Sequence, residues 1–188
     1  MQTVRWMGAL LAAAACVNLY PSAAKAATAW STAASGCVPV NPSSISVAAG
    51  AVTAKSGATA TLYCTITADS LTHAFNAIEI TYKGGAMVVA SAARAAPQSG
   101  ALLISELVGM SKATGAESSN GNGVYCGIQP LGAANPKPSA TIVTLHNGCS
   151  NSASINWNDN FYYVRIVLRS GISVGQQVTV YGTSLITQ

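Results

Sequence analysis

Gly171-Ile172-Ser173-Val174-Gly175 is a run whose residue types match a nucleophile motif, G-x-S-x-G. In that chemistry the serine sits on a strand-to-helix turn, where an adjacent base takes its proton. Here one alternating segment precedes the run and another, Gln177 to Tyr181, follows it. The helix is missing, so the run reads as a Gly/Ser hairpin loop. His73 and His146 offer a base, with Asp69 or Asp159 to orient it. A serine-rich chain always contains such a set, and no spacing here brings one together. Both histidines therefore read as surface or loop residues.

Other reactions find less. Beyond residue 26 the acidic residues are Asp69, Glu79, Glu106, Glu117 and Asp159. Glycoside hydrolysis needs two carboxylates flanking one bond, and no local motif pairs any two of these. There is no D-x-D-x-D-G run for calcium and no glycine loop to cradle a phosphate. No C-x-x-C occurs, and His73 and His146 lie far from any cysteine pair, so zinc is not expected. The expectation is a protein with no cofactor and no enzymatic activity.

Tyr163, Arg165 and Arg169 form the sharpest surface feature. On one face of a strand the two arginines stand about 13 Å apart, from a rise of roughly 3.3 Å per residue. With Tyr163 they suit a glycan or an acidic partner. The plainer reading is a solvated outer face whose arginine stems cover apolar surface.

These residues need a strand to position them, and Asn158 to Arg169 is the most legible one in the chain. Tyr162, Val164, Ile166 and Leu168 fall on one face; Tyr163, Arg165, Val167 and Arg169 fall on the other. The same alternation predicts strands over Ser43–Ala48, Thr59–Thr67, Phe75–Lys83, Val124–Ile128, Thr141–His146 and Gln177–Ile186. Gly50 and Gly57 bracket one more short segment. Leu102 to Met110 satisfies both a helical stripe and a strand; its length and lack of an N-cap favour strand. Thr28 to Pro42 is small and polar, with Trp30 its only large anchor. Nine or ten short strands with turns between them predict an all-β fold. The expected form is a single-domain, jelly-roll-like β-sandwich over 27–188, with little or no helix.

The first 26 residues read as a signal peptide. Arg5 precedes an apolar run from Trp6 to Leu19, and Ala24-Lys25-Ala26 supplies small residues for cleavage. The run is shorter than the roughly 20 residues of a membrane span, and no later stretch approaches that length. Cys16, after three alanines, makes a poor lipobox, so lipid anchoring through Cys16 is the minor alternative to a secreted or periplasmic protein. Cys37, Cys64, Cys126 and Cys149 remain, an even count that implies two disulfides in an exported chain. Of three possible pairings, Cys37–Cys64 with Cys126–Cys149 joins near neighbours. Charged residues are only 7% of the chain, against about 25% in ordinary globular domains. The net charge is +4, with Arg5 and Lys25 inside the signal segment, and no basic run implies nucleic acid.

The spacing of Cys37-Val38-Pro39, Leu62-Tyr63-Cys64, Phe161 to Ile166 and Tyr181-Gly182 resembles a family of small, uncharacterised secreted proteobacterial proteins. The resemblance covers most of the chain beyond residue 26. It implies a bacterial origin and an all-β fold, and no reaction. The expected role is a non-enzymatic binding or surface-structural module, with a glycan or cell-envelope component as partner. The alternatives are an assembling pilus- or coat-type subunit and a secreted hydrolase. Thr28 to Ser35, offering only Trp30 and alanines, speaks against the alternating apolar extension that strand-donating assembly requires.

Overall fold

Alternating side chains dictate most of the architecture, because every second residue of a strand must find an apolar partner. The computed structural model describes residues 27–71, 75–85, 87–88, 101–118, 137–145, 155–172 and 176–187. Twelve strands run through them. They are β1 (Ala27–Ala33), β2 (Val38–Pro39), β3 (Ile45–Ala48), β4 (Ala51–Ala54), β5 (Thr59–Ile66) and β6 (Ala77–Gly84), followed by β7 (Met87–Val88), β8 (Leu102–Ser111), β9 (Glu117–Ser118), β10 (Lys137–Leu145), β11 (Asn160–Arg169) and β12 (Val178–Thr187). Among the described residues the only helical pieces are three short 3-10 turns.

The strands form two six-stranded sheets. The first has the order β10-β6-β12-β4-β3, with β1 also on β12; the second has β2-β5-β11-β8-β7, with β9 also on β8. Their inner faces contribute to one core. Leu62, Val164 and Ile166 come from the second sheet, and Ile80, Tyr82 and Val180 from the first. Burying each such side chain contributes roughly 1.5–3 kcal/mol.

The predicted strands over 43–48, 59–67, 75–83, 158–169 and 177–186 are all present, shifted by a residue or two at their ends. Leu102 to Ser111 is a strand, and Leu102 to Gly109 is buried on both faces. Double burial explains why its sequence fits two periods: a strand covered on both sides reads as a continuous apolar run. Ala27 to Ala33, small and polar in sequence and not among the predicted strands, is a strand paired along β12, with Ala29 and Trp30 buried. β10 starts at Lys137, ahead of the predicted Thr141, and takes in Pro138, where the pairing with β6 shifts between Lys137 and Thr141. A proline needs such an irregularity because it cannot donate to the ladder.

Turn chemistry fits the topology. β3 and β4 are joined through Ala49 and Gly50, both at positive φ (48° and 81°). That is the twist a two-residue hairpin of the I′ kind demands. β11 belongs to the second sheet and β12 to the first, so between Arg169 and Val178 the chain passes from one sheet to the other. The Ser170 hydroxyl clasps this crossing: it donates to the Ala54 carbonyl (2.8 Å) and accepts from the Val178 N–H (2.9 Å).

Cys37 is bonded to Cys64, as the cysteine spacing suggested. The bond ties the chain just beyond β1 onto the inner face of β5. Cys126 and Cys149, His73 and His146, Ser173, the predicted strand over 124–128, and residues 1–26 lie outside the described residues. No helix among the described residues is long and apolar enough to cross a membrane, which says nothing of membrane crossing by strands.

Candidate functional site

Register on the second sheet decides which outward side chains meet. Arg165 on β11 lies opposite Tyr63 on β5 and opposite Glu106 on β8. Tyr163 lies opposite Thr65 and Val108. Directly opposed residues on one face bring their side chains within reach. The Arg165 Nε accordingly donates to Glu106 Oε1 at 2.6 Å. Its Nη1 donates to Glu117 Oε2 at 2.6 Å, reaching the short strand β9. The Tyr163 hydroxyl donates to the other oxygen of Glu117. Tyr63 meets the Tyr163 ring edge to face, with centroids 5.1 Å apart.

This face is not the solvated surface that its sequence suggests. The Glu106 side chain is only 1% exposed and that of Arg165 18% exposed, while Glu117, at 41%, is open to water. Burial alone works against the charge on Arg165, but the hydrogen bond to Glu106 and the charges of both carboxylates outweigh it and hold the guanidinium firmly protonated. Burial, then the bond to Glu117, pushes the Tyr163 hydroxyl well above its ordinary range. The Tyr163 hydrogen bond, aided by Arg165, holds the Glu117 carboxyl below its usual value against a smaller effect of burial. At neutral pH Arg165 is therefore a cation and Glu117 an anion, with the neutral phenol of Tyr163 bonded to Glu117.

The same outward row continues along β11. Phe161, two residues before Tyr163, is 53% exposed, with the Lys112 ammonium 5.0 Å from its ring centroid. Lys112 also donates to the Trp157 carbonyl. Trp157 packs edge-on against Tyr162 (5.0 Å), whose hydroxyl accepts the Asn156 N–H at 2.9 Å. This corner anchors the start of β11 while leaving Phe161 facing outward. Arg169 lies at the far end of the row, opposite Thr59 and Leu102, and is partly buried.

Of the three residues singled out from the sequence, Tyr163 and Arg165 join one bonded cluster, and Arg169 stands four residues along the same face. Glu106, Glu117 and Tyr63 were missed. Glu106 carried a usable signal: a lone carboxylate in the apolar run Leu102 to Met110 needs a partner if it is buried. Glu117 carried none, because β9 is two residues long and pairs only locally with β8. Asp159 accepts a bond from Asn156, and Asp69 sits in a 3-10 turn. Among the described residues no three of His, Cys, Asp and Glu converge as metal ligands.

No protein-family model and no curated protein matches this chain. Two solved structures share a distant likeness. One is a family two carbohydrate esterase from Cellvibrio japonicus, at 8% identity and a TM-score of 0.39, covering 87% of this chain and 34% of the esterase. The other is the arabinosyltransferase EmbB from Mycobacterium smegmatis, at 16% identity and a TM-score of 0.38, covering 79% of this chain and 13% of that enzyme. The chain thus spans about a third or less of either protein's length, and likeness at this level carries no functional argument.

Proposed function

We propose that this chain is an exported, disulfide-stabilised β-sandwich of jelly-roll type that acts as a non-enzymatic binding or surface-structural module. Its ligand is a neutral glycan of the cell envelope. The observation that carries this reading is the Tyr63–Tyr163–Arg165–Glu106–Glu117 cluster on the second sheet. Its donors and acceptors are held in place by one another, and ring surface lies beside them. Rigid aromatic and polar groups on strands meet a ligand with little ordering cost. Two carboxylates already offset the Arg165 charge, so an acidic partner gains little there. Hydroxyl groups, which both donate and accept, fit the cluster better. The Cys37–Cys64 disulfide and the apolar leader support a secreted or periplasmic location.

The test is a glycan and envelope-component binding screen on the exported protein, with titration of any hit. Tyr63→Ala is expected to weaken the best ligand about tenfold, the loss of one good contact of roughly 1.4 kcal/mol. Arg169→Ala, away from the cluster, should change it far less. Absence of binding to every glycan, or an equal effect of both variants, would sink the glycan-binding reading.

A further inference from the structure

Tyr181-Gly182 enters none of the chemistry above, yet Gly182 has a definite task. It lies opposite Ala33, where β1 meets β12. A Cβ on Gly182 would stand 2.7 Å from the Thr32 carbonyl oxygen, a backbone atom with nowhere to move. The missing side chain is what lets β1 close against β12. β1 itself, Ala-Thr-Ala-Trp-Ser-Thr-Ala, has no charge and no proline. It therefore lacks the devices that stop an edge strand from pairing with another molecule. Only Ala29 and Trp30 of β1 are buried. The 3-10 turn Ala34–Gly36, without a side-chain cap, comes directly after β1 and leads to Cys37. Cys37 is bonded to Cys64, so the chain from that point onward stays on β5 whether or not β1 is seated. For β1 to leave, Ala29, Trp30 and the fully buried Ala34 must come out of the core and the Ser35 N–H must release the Gly50 carbonyl, while Cys37 and the chain beyond it keep their place. The departure of β1 bares the β12 edge from Gly182 to Thr187, which accepts the same seven residues from elsewhere.

We propose that β1 is exchanged between two copies of this chain, each β1 seating on the β12 of the other in the register seen within one chain. Exchange preserves the β1–β12 contacts, so concentration decides between the closed monomer and the reciprocal, two-fold dimer. With charged residues only 7% of the chain, little repulsion keeps the copies apart. The exchange does not involve the cluster on the second sheet and stands or falls independently of it.

Ser31 and Ser184 face each other across β1 and β12 and give a direct test. Two full-length preparations, one carrying Ser31→Cys and one carrying Ser184→Cys, are mixed, concentrated and oxidised with copper–phenanthroline. The expected product is a dimer linked between positions 31 and 184, identified by peptide mass, its yield rising with concentration. Adding Gly182→Ala to the Ser184→Cys chain should abolish that link, with circular dichroism confirming that the chain is folded. If the mixture gives no such link while one chain carrying both cysteines closes it internally, β1 stays with its own chain and the proposal fails. It fails equally if the link survives Gly182→Ala.

Discussion

Arg165 ties three strands together through side chains alone, and the consequences of losing it depend on what is left behind. Glu106 is 1% exposed, and Arg165 is its ion-pair partner among the described residues. Replacing Arg165 by Ala leaves a carboxylate buried without its cation. Breaking such a pair from one side is worth about 3 kcal/mol of stability. Removing both ends together, with Arg165→Met and Glu106→Leu, replaces a buried ion pair by apolar contact and should recover most of that loss. Urea unfolding of Arg165→Met, Glu106→Leu and the double variant gives the coupling. If Arg165→Ala matches the natural protein within about 0.5 kcal/mol, as an ordinary surface substitution would, the pair does not hold the sheet. The arginine was legible in the sequence because it stands in phase on the outward face of an alternating strand. Its partners were not, because they lie 59 and 48 residues away on strands whose register only the folded sheet defines.

At the level of elements, the legible strands are those with one dry and one wet face. β5 and β11 declare themselves through alternation, and both appear where it places them. β8 is harder to read because it is buried on both faces, and β1 because alanine, serine and threonine carry little periodic signal. The passage from β11 to β12 was legible as a connection but not as a change of sheet, since Gly and Ser mark a turn without saying where it leads. What defines that passage is Ser170, 1% exposed, with its hydroxyl bonded to both Ala54 and Val178. Ser170→Ala leaves a buried carbonyl and a buried N–H without that partner, a loss of about 2 kcal/mol. Ser170→Thr keeps the hydroxyl and adds only a methyl group. Chemical denaturation should therefore rank alanine as the more damaging change. The reverse order would mean that tight packing, not the two hydrogen bonds, governs the crossing.

For the whole molecule, the question is what compensates for a chain so poor in charge and so rich in small residues. Two inner faces supply the core, and a covalent bond limits the freedom of the unfolded chain. Cys37 and Cys64 are 27 residues apart, and the segment between them contains β2, β3, β4 and part of β5. Closing a loop of that length is worth roughly 3.5 kcal/mol in the chain-entropy account. For a domain of this size each kcal/mol moves the melting temperature by about 2–4 °C, so loss of the bond should lower it by about 10 °C. Replacing Cys37 and Cys64 together by Ala separates this bridge from the second one proposed between Cys126 and Cys149. In that variant the melting temperature should fall by the stated amount. If Cys16 leaves with the leader and Cys126 is bonded to Cys149, as the cysteine count predicts, thiol titration of this variant, exported and denatured, finds no free thiol. Two titratable thiols would disprove the second bridge while leaving the first intact. An unchanged melting temperature would mean that the two-sheet core holds this fold without its covalent tie.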